Sequence, residues 1–265
     1  MIQQLLTGKG VNPTMITSKS SIWSRFVRAT KKPVWYAVHR LTGKRMGMPV
    51  HYLDMTLASG VFRLDAEQAA QLVSKERFVP SIAEDGLARC HVSALEYRNI
   101  DILYPYNELA ITIPGRMRGV DRETELEYYL HLPVTTEDAR WPGVEVFGFP
   151  KFLAAIDFQQ SEGEIICSLG LAGQEVLRLQ VSKGETTEDE WEVANLTFLQ
   201  GEPVLSTFRG YGQRHASDVP GGAKLHLGAH EMAQELGAAG LELTSVAHTY
   251  CPEMRALLST PTKLQ

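Results

Sequence analysis

Gly143-Val144-Glu145-Val146-Phe147-Gly148-Phe149-Pro150-Lys151-Phe152 is the stretch on which the reading of this chain turns. It sets a single ammonium between two phenylalanines, and Leu153-Ala154-Ala155-Ile156 continues the apolar run. A lysine in apolar surroundings loses hydration of its charged form, which lowers its pKa. A neutral amine is a nucleophile that forms a Schiff base with a ketone or aldehyde. The ordinary alternative is a stem packed on hydrophobic side chains with its head reaching water, and local composition leaves both open. Pro150 restricts the backbone ahead of the lysine, while Phe149 and Phe152 are placed to exclude water from it.

Outward from this stretch the chain reads as many short strands. Residues 89–97 alternate loosely, 109–113 form a strand ending at Pro114, and 126–132 form a tyrosine-rich strand. Residues 152–158, 165–171 and 176–181 follow at short intervals with glycine-containing turns. Residues 191–198 alternate, with Trp191, Val193, Asn195 and Thr197 on one face, and 203–208 make a further short strand. Asp65 offers an N-cap for a helix over 66–75. Residues 230–236 read as a helix stopped by Gly237, 241–250 as extended, and Pro252 as the first turn of a last helix reaching Leu258. Regularly spaced short strands predict an α+β, mainly β chain built as a sandwich or barrel, not a doubly wound sheet.

The chain has 265 residues and a formal charge of -5, with 44% hydrophobic and 22% charged residues, ordinary for a soluble globular protein. Nine of the 26 Lys and Arg, and none of the 31 acids, fall in residues 1–53; the remaining 17 cations face 31 acids, a formal -14. We therefore read residues 1–50 as a basic N-terminal arm and 51–265 as the main domain. The aromatic and cationic segment 22–32 suits an acidic surface of this chain or of another subunit, with an anionic membrane surface or a mitochondrial transit peptide as the alternatives and no nucleic acid expected. Cys90, Cys167 and Cys251 are widely spaced, without a C-x-x-C pair, and read as core residues in a reducing cytoplasm. There is no secretory signal and no apolar run approaching the ~20 residues of a membrane helix. No G-x-G-x-x-G, P-loop or G-x-S-x-G element occurs. His226 and His230 are four apart without a third partner at a convincing spacing, so no metal is expected.

The G-x-E-x-x-G-F-P-K element, Gly143 to Lys151, resembles the active-site segment of the acetoacetate decarboxylase family, in which that lysine forms the Schiff base. Arg89-Cys90-His91-Val92, followed by Tyr104-Pro105-Tyr106-Asn107-Glu108, resembles the paired segment lining that family's pocket. Residues 222–258 resemble its closing strand, turn and helix. About 200 residues, from roughly Tyr52 onward, can be read this way. The resemblance implies an antiparallel β-barrel with a few peripheral helices, a homo-oligomer, a small keto acid as substrate and no cofactor.

It also implies Lys151 as the catalytic amine and Glu108 as a proton carrier, with Phe149, Phe152, Arg89 and Tyr106 around the substrate. Three departures accompany it. The second lysine that usually follows the first is Phe152, so activation by an adjacent cation gives way to desolvation. His91 stands where a second pocket glutamate is found, and either acts as acid and base or is a hydrogen-bonded strand histidine. Leu53-Asp54-Met55-Thr56 lacks the family's substrate-side arginine. Some relatives that catalyse aldol condensation and dehydration use a tyrosine from this C-terminal region, and Tyr250 either donates its phenolic proton to a leaving hydroxyl or is a buried aromatic anchoring the last helix. The implied activity is a lyase acting on a β-keto acid through an imine at Lys151; the alternatives are an aldolase-dehydratase using the same imine, or a ligand-binding barrel without catalysis.

Overall fold

The computed structural model describes residues 34–37, 45–73, 77–101, 103–120 and 125–264. Most of the basic arm, including segment 22–32, lies outside the described residues. Strands β1 (Val34–Ala37) and β2 (Arg45–Met48) pair as a two-stranded sheet.

Seven long strands close into a barrel. They are β3 (Val50–Leu64), β5 (Ala88–Ile100), β6 (Tyr106–Met117), β7 (Leu126–Val134), β12 (Thr187–Leu199), β13 (Glu202–Ser217) and β15 (Ala247–Leu258). Around the wall the order is β6, β5, β3, β15, β13, β12 and β7, and β7 returns to pair with β6. Six of these seven contacts are antiparallel; β7 and β12 run parallel, with Glu127 opposite Asn195. The barrel is therefore mixed, where the family resemblance implies an antiparallel one. Closure removes the free edges a long open sheet would present. Two short strands join its rim: β4 (Phe78–Pro80) on β6 and β8 (Lys151–Leu153), parallel to the end of β7.

A second, antiparallel sheet orders β14 (Ala223–Leu227), β11 (Gln174–Ser182), β10 (Glu164–Leu171) and β9 (Ala155–Gln160). It packs against the outside of the barrel. Leu109, Ile111 and Ile113 of β6 share one buried cluster with Cys167, Leu169, Leu177 and Leu179. The run at 109–113 is nearly continuous in hydrophobicity because both faces of β6 are covered, one by this sheet and one by the barrel interior. All three cysteines are buried and unpaired, as expected of core residues.

Helix α1 (Ala66–Leu72) starts where the sequence places it, with the Asp65 carboxylate accepting from Gln68 N at 2.9 Å. Helix α3 (Glu231–Ala238) is likewise capped by His230. The expected C-terminal helix is not formed. Residues 252–258 belong to β15, held between β13 and β3. Pro252 is tolerated inside that strand because it falls in an irregular step of the pairing between Cys251 and Met254, where a missing N–H breaks no regular ladder. Similarly, β6 continues through Pro114, between the last pairing with β5 at Thr112 and the first with β4 at Gly115. Helix α2 (Glu137–Glu145) had no sequence signal, since it carries Pro142 and Gly143 and has little amphipathic character.

Candidate active site

The glycines of the Gly143–Lys151 element have separate local tasks. Gly143, buried in α2, lies under the lysine stem, and a methyl group there would overlap Lys151 Cδ and Cε. Gly148 takes φ +68° just after the helix, with the Phe198 carbonyl against its α-carbon, so glycine suits it in both backbone and space. The chain then reverses through Phe149 and Pro150 into β8, and strand alternation sends Lys151 into the barrel.

Inside, Lys151 Nζ lies 2.6 Å from Glu108 Oε2, with side chains only 7% and 8% exposed. Tyr97 donates to the other carboxylate oxygen at 3.2 Å. The ammonium stands 5.5 Å from the centre of the Tyr106 ring and 5.7 Å from that of Phe149. Tyr52, Tyr97 and Tyr106 stack in series at 4.6 and 4.5 Å between centroids. Burial, followed by the nearby Glu108 charge, raises the Tyr97 phenol well above its ordinary pKa, so it stays a neutral donor at neutral pH. The surroundings of Lys151 are thus less apolar than the sequence run suggests: a carboxylate able to take its proton is in direct contact.

These groups open on a cavity of about 300 Å³. Its lining follows the alternation of each strand: Ser59 and Val61 on β3, His91, Ser93 and Leu95 on β5, Glu108, Ala110 and Thr112 on β6, and Glu127 and Tyr129 on β7. Trp191, Val193 and Asn195 of β12 also line it, on the face predicted for them. Four residues along β6 from Glu108, about 13 Å at ~3.3 Å per residue, lies a second polar pair. His91 Nδ1 is 3.0 Å from Glu127 Oε1, and Thr112 Oγ1 donates to Glu127 Oε2 at 2.5 Å. Burial pulls the His91 pKa down, but the Glu127 charge and hydrogen bond outweigh it and the net shift is upward. Burial pushes Glu127 up, yet His91 and Thr112 together carry it below its ordinary value. The pair is therefore an imidazolium and a carboxylate over a widened pH range.

The fold brings Lys151, Glu108, His91 and Phe149 to one cavity, with Tyr106 packed beside the lysine. It sets the other three residues elsewhere. Phe152 follows Lys151 in β8 and so points away, lying edge-on to His131 at 6.4 Å. Arg89 shares the face of His91 but sits nearer the strand start, bound to Asp85 at 2.9 Å. Tyr250 neighbours the cavity-lining Thr249 in β15 and therefore faces the surrounding core. Sequence reasoning missed Glu127, Tyr97, Asn195 and Arg214. Period-two alternation through 126–132 pairs Glu127 with Tyr129 on one face, a signal that could have found the first. Arg214 had none, because β13 runs nine residues past its expected end at Phe208.

A buried amine touching a carboxylate, with a second acid-base pair in the same cavity, can hold a carbonyl compound and move protons at both ends. The acetoacetate decarboxylase (ADC) family model matches residues 36–255. The chain belongs to the acetoacetate decarboxylase family. Among solved structures, an acetoacetate decarboxylase is similar at TM-score 0.60 and 16% identity, covering 82% of this chain and 89% of its own. The enduracididine biosynthesis enzyme MppR complexed with pyruvate is similar at TM-score 0.61 and 16% identity, over 89% of this chain and 99% of its own. The acetoacetate decarboxylase of Legionella pneumophila subsp. pneumophila str. Philadelphia 1 is similar at TM-score 0.57 and 13% identity, over 82% and 87%. No curated protein matches the chain in sequence. At these identities the structural likeness speaks for the decarboxylase-family fold alone. Among the described residues no helix is long and apolar enough to cross a membrane, and no three His, Cys, Asp or Glu side chains gather as a metal site.

Proposed function

We propose that this member of the acetoacetate decarboxylase family is a lyase that forms an imine between Lys151 and a β-keto acid. The observation that carries the reading is the 2.6 Å contact between Lys151 Nζ and Glu108 Oε2 inside the barrel. Glu108 takes a proton from the ammonium, and the free amine adds to the ketone. The carboxylic acid returns that proton to the carbinolamine oxygen, which leaves as water. The protonated imine then accepts the electron pair released as the carbon–carboxylate bond breaks, giving CO2 and an enamine. Protonation at carbon and hydrolysis regenerate Lys151 and release the ketone, so the net change is uptake of one proton and loss of CO2. Phe149 and the tyrosine stack keep bulk water from the amine and strengthen each electrostatic contact.

A second reading is an aldolase-dehydratase using the same imine, and the His91–Glu127 pair favours it. Condensing a keto acid with an aldehyde needs a second acid and base for the aldehyde oxygen, which that pair supplies. Tyr250, packed in the core, is not needed in this scheme. We also propose a cytoplasmic homo-oligomer, on the family resemblance and the absence of cysteine pairing.

Borohydride trapping with acetoacetate, with pyruvate plus aldehydes, and with longer keto acids separates the readings by peptide mass. An adduct at Lys151 lacking CO2 supports decarboxylation, and a condensed adduct that keeps the carboxylate supports the aldol route. No adduct on folded protein leaves the non-catalytic ligand-binding barrel.

A further inference from the structure

We propose that the β12–β13 wall carries a carboxylate subsite anchored by Arg214, so that the substrate bound at Lys151 directs an acid group toward that wall. The carbonyl end of this proposal rests on the imine reading; the carboxylate end does not.

Arg214 lines the same cavity as Lys151. Its Nη1 donates to Asp189 Oδ2 at 2.7 Å, and its Cζ lies 4.9 Å from the centre of the Trp191 ring. A carboxylate and an indole thus hold the guanidinium from two sides. Its Nε is buried with no hydrogen-bond partner, and Nη2 makes no hydrogen bond to the described residues. Nε–H and one Nη2–H project in parallel from one edge of a guanidinium, the fork that matches two carboxylate oxygens. A buried donor without an acceptor is costly, and a carboxylate that meets Nη2 and draws Nε–H into the same fork removes that cost.

The rest of the cavity offers an anion less. Glu108 is engaged by Lys151 and Tyr97, and Glu127 by His91 and Thr112, so both polar pairs already contain a carboxylate. His91 has one ring nitrogen beyond its bond to Glu127, a single donor beside a negative charge. The segment 53–56, which lacks the family's substrate-side arginine, lies in β3. Its Asp54 pairs with Arg98, which does not line the cavity. Arg214, remote from that segment in sequence, is the guanidinium in the cavity wall.

The test titrates butanoate and benzoate, which have no ketone and form no imine, against the full-length protein. Methyl butanoate and methyl benzoate are the neutral controls. Tryptophan fluorescence reports binding, with Trp191→Phe identifying the signal from the ring under Arg214. Butanoate or benzoate should bind, Arg214→Gln should weaken it about 10- to 100-fold, and Arg214→Lys should restore it only in part, since an ammonium lacks the fork. Ester binding should not change, which also shows that the wall of each variant is intact.

Carboxylate affinity unaffected by Arg214→Gln, or lost in His91→Gln instead, would overturn the proposal, as would an equal loss for the esters. Borohydride trapping then separates the two readings. If Lys151 traps no carbonyl compound while carboxylates still require Arg214, the imine fails and the subsite stands. If keto acid and neutral ketone are trapped equally in wild type and Arg214→Gln, the imine stands and the subsite fails.

Discussion

Replacing Lys151 with methionine removes the ammonium, keeps most of the stem volume and leaves the Glu108 carboxylate inside the barrel. Glu108 is 6% exposed, and its remaining hydrogen bond is the 3.2 Å contact from Tyr97 to one oxygen. The other oxygen loses the 2.6 Å bond to Lys151 Nζ. Removing one partner of a buried ion pair costs about 3–5 kcal/mol, because a desolvated charge remains. That is a large part of the roughly 5–15 kcal/mol that separates folded from unfolded states in most domains, and it corresponds to a fall in melting temperature of about 10 °C. The charge-free Lys151→Met/Glu108→Leu double variant should recover most of the stability. Urea unfolding of the wild type, both single variants and the double variant closes the cycle and yields the coupling between the two groups. A Lys151→Met protein within about 0.5 kcal/mol of wild type, or single effects that simply add, would refute the claim that the pair is buried and mutually dependent.

Three further outcomes are expected. Gly143→Ala places a methyl group against Lys151 Cδ and Cε, so borohydride trapping at Lys151 should fall at least tenfold while circular dichroism keeps the strand signal. For the His91–Glu127 pair, the raised histidine contributes stability that is full below about pH 6.5 and lost as pH rises through its folded pKa, while the lowered carboxylate contributes stability present above about pH 4.5 and lost as pH falls through its own. The stability difference between wild type and His91→Gln/Glu127→Gln should therefore be largest between pH 4.5 and 6.5, and a flat difference from pH 4 to 9 in urea unfolding would count against the pairing. Leu109→Ala, at a fully buried position between barrel and second sheet, should cost about 2–5 kcal/mol in the same assay.

Strand content, the faces of residues 191–195, the starts of α1 and α3 and the glycine-proline-lysine element were legible in the sequence, because each depends on neighbours within a few residues. Alternation sets which side chains share a face, a short acceptor side chain caps a helix, and Gly143 leaves room for the lysine stem while Gly148 makes way for the Phe198 backbone. The family resemblance joined Glu108 to Lys151 across a sequence separation of 43. Other features were decided by barrel closure. The parallel contact of β7 with β12 pairs Glu127 with Asn195 and depends on where two distant strands meet. Pro252 reads locally as a helix start, but hydrogen bonding to β3 and β13 on either side outweighs that preference. Tyr250 and Phe152 lie one position from cavity-lining residues, and a step of one along a strand reverses the direction of the side chain. Arg214 joins the cavity only because β13 stays in register with β12 as far as the Thr187–Arg214 pair. Local physics thus determined the elements and the apolar setting of the Lys151 segment, whereas the carboxylates, phenols and guanidinium around that lysine come from strands far apart in sequence, whose neighbours are set only when the barrel closes.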